Sequence, residues 1–391
     1  MAGCCVLDVV VSPLVAVREH ERFRRRCVNL VASENVLSPA VRRALGSDMG
    51  SRYSLRPEFY GGTRYIQEVW RLAEELGRLV FGAEFCSVAP LSGHVALMMA
   101  LYACVPRGGK IACVDPGFAG YPGLEIDKIP QVMGYSVIKL TEKELCIDVE
   151  EAVEMVSREK PDAVVLGASL ILYPMPVREL AETVHNYGGV VVYDASHVLG
   201  LVAGGVFQQP LKEGADIMIG STHKSFFGPQ GGIILTNDTH LAKKIEENTF
   251  HKFVDNIHFN RVAALAVALD EIRRHGKMYA TRVVDNARTL AESLEKAGLK
   301  PFRNRLGYTF SHQVYLPYSV DEAAHVCNVL EKNHIIADIG VRFGTCEVTR
   351  RGMGLRQMGQ IAKLVSSALR GEDVKRDAVT LANRFKSIKY T

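Results

Sequence analysis

Lys224 stands in the run GSTHKSFFGPQGG, between a histidine and two phenylalanines and just ahead of a turn rich in glycine. A lysine there is badly placed for solvation. In a desolvated pocket its pKa falls, and the neutral amine can form a Schiff base with an aldehyde. Thirty residues earlier, VVVYDASH puts Asp194 at the end of a buried-type strand, with His197 three residues on. Strand ends of α/β sheets are where ligand sites concentrate, and a carboxylate buried there needs a partner. Ser92 and Gly93 open the apolar stretch LSGHVALMMALYA, a helix whose free N–H groups and positive dipole end suit an anion. Singly, each has a plain reading: a surface lysine, an internal salt bridge, a core histidine, an ordinary N-cap. In this order, on consecutive parts of one sheet, they are the usual protein handles on pyridoxal phosphate. The lysine holds the aldehyde, the aspartate pairs with the pyridine nitrogen and the helix end cradles the phosphate.

The elements that must position these residues follow from the hydrophobic pattern. From about residue 66 to 236 helix-like and strand-like segments alternate. The runs KIACVD, DAVVLGAS, GGVVVYDAS, ADIMIGST and GGIILTND are continuously apolar, as expected of strands covered on both faces by helices. VWRLAEELGRLVFGAE carries Leu72, Leu76, Leu79 and Val80 on one helical face. The alternation predicts an α/β fold with a mostly parallel sheet. After residue 250 two helical stretches are expected, Asn260–His275 and Arg282–Leu299, followed by the strand candidate SHQVYLPY and more helix. This gives an N-terminal arm over 1–30, a large domain over 31–259, and a linking helix with a smaller α+β domain over 260–391.

The totals are those of a globular chain: 391 residues, net charge +4, 23% charged and 48% hydrophobic. The richest basic run, Arg22–Arg26, sits beside Glu19 and Glu21 and reads as a solvated helix face. Neither a nucleic-acid nor a membrane partner is expected. The apolar first residues contain Asp8, lack the order of a signal peptide and are too short to span a bilayer, so they read as a packing arm. Nine cysteines without a CxxC pair speak against a disulfide or zinc framework and fit a reducing cytoplasm. No metal site is expected.

These residues carry a resemblance that runs nearly end to end. NLVASENVLSPAVRRALGS, YGGTRYIQEVWRLAEELGRLVFGAEFCSVAPLSG, YDASHVLGLVAGGVFQQPLKEGADIMIGSTHKSFFGPQGGIILT, SHQV and VRFGTCEVTRRGM resemble serine hydroxymethyltransferase, in particular its archaeal branch. The resemblance implies the aspartate aminotransferase-like, fold-type I architecture of pyridoxal-phosphate enzymes. It implies Lys224 as the Schiff-base lysine, Asp194 on the pyridine nitrogen, Ser169 at the cofactor's phenolic oxygen and His197 under the ring. Ser92 and Gly93, with His223, would bind phosphate. Tyr121 falls where the family usually stacks a histidine on the ring. Arg342, helped by Ser33, would clamp the substrate carboxylate, a task suited to a guanidinium fork. Tyr53 and Tyr60 would reach the neighbouring subunit's site in a homodimer.

Two departures bear on the reaction. In RYSLRPEFYGG the run after Tyr53 is shorter than the family's, and Leu55 occupies the position of a glutamate that handles the serine hydroxyl. Glu58 is the nearby carboxylate and the candidate replacement. The family's loop before the arginine motif, which helps hold the pterin carrier, is missing: NHIIADIGVRFGT runs almost directly into Arg342. The leading expectation is interconversion of serine and glycine with a tetrahydrofolate or tetrahydromethanopterin-type carrier. The alternatives are a carrier-independent aldolase or transaldolase acting on a β-hydroxy amino acid, and a weakly catalytic cofactor-binding paralogue.

Overall fold

The computed structural model describes residues 12–391. The apolar first residues, with Cys4 and Cys5, lie outside them. The seven other cysteines are free.

A seven-stranded sheet organises the large domain. Its strand order is Phe85–Ser87, Gly232–Thr236, Ile217–Ser221, Val190–Asp194, Ala163–Leu166, Lys110–Val114 and Ser136–Leu140. Only Gly232–Thr236 runs against its neighbours; the others are parallel. All five apolar runs read from the sequence are strands here. Two edge strands, Phe85–Ser87 and Ser136–Leu140, complete the sheet. The second has an exposed, intermediate and polar pattern, which is why continuous hydrophobicity did not single it out. The central strands are buried along almost their whole length, as a sheet covered on both faces requires.

The parallel strands bring their carboxyl ends to one edge. Asp194 ends its strand, Lys224 follows the Ile217–Ser221 strand by three residues, and Tyr121 and Ser169 lie in the segments after two others. The helix Gly93–Cys104 begins with Ser92 as its cap, the hydroxyl accepting from the Val95 N–H at 3.1 Å.

Two helical expectations change. The stretches at 260–275 and 282–299 are one helix of 38 residues, Phe259–Lys296. Gly276 does not break it because its backbone packs against Gly204, and the fully buried Tyr279 carries the apolar face across the gap. On the helix Arg64–Phe81 the buried stripe is Ile66, Trp70, Ala73 and Gly77, while Leu72 and Leu79 are exposed. The large indole and the small Ala73 and Gly77, the latter against Cys86, decide which face turns inward. Of the residues chosen by leucine spacing, Leu76 and Val80 are partly buried against the core and the other two are not.

In the smaller unit, Gln313–Tyr315 pairs with Arg342–Gly344, and Val28–Asn29 runs parallel to Ile335–Ile336. Val28 and Leu30 share a core with Leu290, Leu330, Phe343 and Val365. The helix Pro13–Arg24 carries much of the basic run. Arg22 and Arg25 pair with glutamates at the surface, whereas Arg24 turns inward to Asn29 and Glu34.

Candidate active site

The turn that carries Lys224 is closed from several sides. The Thr222 N–H donates to Gly231 O at 3.0 Å, and the Thr222 hydroxyl to Pro229 O at 2.6 Å. Phe226 and Phe227 are wholly buried and anchor the turn from below. Asn35 donates to Lys224 O at 2.9 Å, and the Tyr279 hydroxyl donates to Ser225 O at 2.9 Å. The aromatics and glycines around Lys224 therefore fix a turn and leave its amine largely enclosed. Burial lowers the Lys224 pKa, Asp194 acts to raise it and Arg342 to lower it further. No hydrogen bond contributes to that shift.

Asp194 accepts from the Ser196 N–H at 2.8 Å through Oδ1. Burial raises its pKa, against the pull of Ser196 and Lys224. At the Gly93 helix end, Ser196 and Ser221 are joined at 3.2 Å between their hydroxyls. A Cβ on Gly93 would collide with Ser221 Oγ and reach 3.0 Å from Ser196 Oγ. Only glycine leaves that cradle open. Tyr121 bonds His94 Nδ1 at 2.8 Å through its hydroxyl, and Asp194 lies near enough to help raise its pKa. His223 is pushed down to about 4, by burial first and then by Lys224; its Nδ1 is sealed without a partner.

Ser169 is a junction. Its backbone N–H donates to Ala119 O at 2.8 Å. Its carbonyl accepts from Arg342 Nη1 at 2.9 Å and from Gln313 Nε2 at 3.0 Å. Arg342 Nη2 pairs with Asp338 at 3.1 Å, and Nε is sealed without a partner. One N–H on each terminal nitrogen of Arg342 is thus uncommitted. Ser33 lies in the turn that follows Val31, which bridges to Phe343 beside Arg342. His197 is buried and stacked on His312 at 6.0 Å with 14° between the rings. Burial and the nearby Lys224, His312, Arg342 and His223 push its pKa well down.

One chain therefore gathers Ser92, Gly93, Tyr121, Ser169, Asp194, His197, His223, Lys224, Ser33 and Arg342 around one sheet edge. It does not gather Tyr53, Glu58 and Tyr60 there. Arg56 stacks on Trp70 at 3.8 Å and pairs with Glu74, and Gln67 holds Leu55 O at 2.9 Å. That pins the loop to the helix Arg64–Phe81 and leaves Tyr53, Glu58, Phe59 and Tyr60 exposed. Asn35, Gln313 and Asp338 escaped the sequence reading. Asn35 and Gln313 sat inside quoted motifs, ASEN and SHQV, where a buried amide was the available signal. Asp338 showed only as an acid four residues before Arg342.

An amine, an anionic strand end and an open helix N-terminus are the donor set that pyridoxal 5'-phosphate requires, and the cradle at Gly93 has the space. Fold and site together define a fold-type I pyridoxal-phosphate enzyme. A family model described as serine hydroxymethyltransferase matches residues 8–365. The serine hydroxymethyltransferase of Methanopyrus kandleri is 40% identical over 98% of this chain and 95% of its own length. That of Pyrobaculum calidifontis is 38% identical over 98% and 94%. Among solved structures, L-threonine transaldolase from Pseudomonas fluorescens in its internal aldimine state superposes with a TM-score of 0.90, at 26% identity, over 97% of this chain and 92% of the other. This chain belongs to the serine hydroxymethyltransferase family.

Among the described residues no helix is long and apolar enough to cross a membrane, and no group of three or more His, Cys, Asp or Glu could hold a metal ion.

Proposed function

We propose that the protein transfers the hydroxymethyl group of serine to a tetrahydrofolate or tetrahydromethanopterin-type carrier, giving glycine, the methylene carrier and water, and runs the reverse. The observation that carries this reading is the single cluster of Lys224, Asp194 and Arg342 at the strand ends, in a chain of this family. When bound, pyridoxal 5'-phosphate supplies an aldehyde for the amino group and a ring that accepts the electron pair released at Cα. Lys224 would hold the aldehyde carbon, and burial, by lowering its pKa, favours the neutral amine that such a bond requires. Asp194 holds the proton on the ring nitrogen. Ser92, Gly93 and His223 take the phosphate, Ser169 the phenolic oxygen, and Tyr121 packs beside the ring. Arg342, with Ser33, holds the substrate carboxylate. By fixing that group it would orient the substrate and so decide which bond at Cα is the one labilised.

Tyr53, Tyr60 and Glu58 act from a second copy of the chain in a homodimer. Their exposure within one chain supports this arrangement. Seven free cysteines support a reducing, cytoplasmic setting.

A second reading is transaldol or aldol chemistry on a β-hydroxy amino acid of the threonine kind. It is favoured by the likeness to a transaldolase and by the Asp338–Arg342 pair, in the segment where the resemblance leads one to expect the carrier loop. Turnover of serine and threonine by the cofactor-loaded protein, with and without each carrier, separates the two. Serine cleavage that needs a carrier is expected. Threonine cleavage that outruns it without any carrier would replace the first reading by the second.

A further inference from the structure

Gln313 has no solvent exposure, and both ends of its amide are fixed by backbone. One end accepts the Ile171 N–H at 2.7 Å, so it is the oxygen. The other faces the Ser169 carbonyl at 3.0 Å, so it is the nitrogen. Two independent partners thus decide the orientation that a glutamine amide usually leaves ambiguous. The amide nitrogen carries two N–H groups. One is used on Ser169. The other meets His197 Nδ1 at 3.0 Å, so Nδ1 must offer its lone pair. The proton of the neutral ring is then on Nε2. Among the described residues Nε2 has no hydrogen-bond partner, and it is not one of the sealed polar atoms.

We propose that Gln313 is a positioning residue that locks His197 in its neutral Nε2–H form, so that the free ring nitrogen serves the reaction as a hydrogen-bond donor and not as a base. The tautomer follows from geometry alone. Its use in the reaction rests on the proposed function and on His197 lying under the cofactor ring, as the family resemblance implies.

The surroundings of His197 agree. Lys224, Arg342, His223 and the stacked His312 all oppose a second proton on its ring, as does burial. A protonated ring would also set an Nδ1–H against the Gln313 amide N–H. The partner for Nε2–H is an oxygen acceptor in the site, on the ring of the bound cofactor or on the substrate's β-hydroxyl. Ser169 couples the arrangement to the substrate clamp, because the carbonyl that orients Gln313 also accepts from Arg342 Nη1.

The test is a long-range proton–nitrogen correlation spectrum of the cofactor-loaded protein, labelled with 15N at histidine and recorded as a function of pH. The His197 signals are assigned by their loss in His197→Asn. The wild type is expected to show the Nε2–H pattern throughout the neutral range. In Gln313→Glu a carboxylate oxygen faces Nδ1. The pattern is expected to move to Nδ1–H, with the His197 titration midpoint rising by about 1–3 pH units, as for an imidazole beside an opposite charge. The acid limb of the kcat profile should shift the same way. If Gln313→Glu does not fold, Gln313→Leu removes the donor without adding charge and should give mixed tautomers. An Nδ1–H pattern in the wild type, or an unchanged Nε2–H pattern in a folded variant, overturns the proposal. Absence of a borohydride-reducible linkage at Lys224 would overturn the cofactor reading instead, whatever the tautomer.

Discussion

At the scale of single residues the site separates charge from reach. Burial lowers the Lys224 pKa, Asp194 tempers the shift and Arg342 adds to it. Replacing Lys224 by Ala should abolish the borohydride-reducible cofactor linkage while leaving the fold intact by circular dichroism. Arg342 should behave differently. Its planar fork is already held by Ser169 and Asp338, so what it offers a carboxylate is direction as well as charge. Lysine supplies a point charge only. In Arg342→Lys the amino-acid KM should rise on the order of tenfold to a hundredfold, the loss of one charge-assisted hydrogen bond, with the cofactor spectrum unchanged. An unaltered KM would remove Arg342 from substrate binding. The buried imidazoles set the acid limit. Burial leads in lowering His197, His223 and His312, the last two to about 4. The unfolded chain therefore binds more protons than the folded one below about pH 6.5, and stability falls as pH falls through that window. Asp194, raised by burial, acts in the opposite sense just above the ordinary carboxylate range. Urea unfolding of the loaded protein should show a lower midpoint at about pH 5 than near neutrality. His312→Gln should narrow the difference.

At the scale of elements, the helix Gly93–Cys104 and the strand Ile217–Ser221 approach so closely that one hydrogen at Gly93 decides whether the anion cradle exists. In Gly93→Ala the new methyl would displace Ser221 Oγ from Ser196. Cofactor retention in equilibrium dialysis should fall at least roughly tenfold, the equivalent of about 1.4 kcal/mol, with a smaller loss in thermal stability. These strand ends were readable in the sequence because apolar runs of β-branched residues stop at polar ones: VVVYD at Asp194, IMIGS before Lys224. The face of the helix Arg64–Phe81 was only half readable, since Trp70 with two small residues takes the centre of the buried stripe, Leu76 and Val80 pack at its margin, and Leu72 and Leu79 are left exposed. The single long helix was not readable, because Gly276 looks like a break until Gly204 is packed against it. Within the site, residues that touch ligand through their own chemistry were legible from type and context. Those that act through a neighbour, Gln313 on His197 and Asp338 on Arg342, needed three-dimensional proximity. Their partners lie 116 residues away in one case and four in the other, and neither spacing announces a contact.

At the scale of the molecule, a buried ion pair joins the long helix Phe259–Lys296 to the helix Cys346–Arg350. Arg350, fully buried, pairs with Glu271 at 2.6 Å and lies over the Phe227 ring at 3.6 Å, three residues from Lys224. The other Glu271 oxygen accepts from Ser38 at 2.6 Å. Removing one partner leaves an uncompensated buried charge, so Arg350→Met should cost about 3–5 kcal/mol in urea unfolding. Adding Glu271→Gln should recover part of that loss. The exposed loop poses a question of assembly. Tyr53 and Tyr60 pack on each other at 5.6 Å, and Phe59 lies on Tyr60 at 5.1 Å, yet all three rings face outward. If they complete the site of a second copy, two inactive chains can repair each other. A Lys224→Ala chain keeps its loop, and a chain with Tyr53→Ala and Tyr60→Ala keeps its lysine. In a hybrid two-fold dimer, one site combines an intact lysine with an intact loop, and the other combines two lesions. Co-expression in equal amounts should therefore restore roughly a quarter of the wild-type activity, because half of randomly paired dimers are hybrids with one good site each. If the loop served its own chain instead, every site would carry one lesion and the mixture would stay inactive.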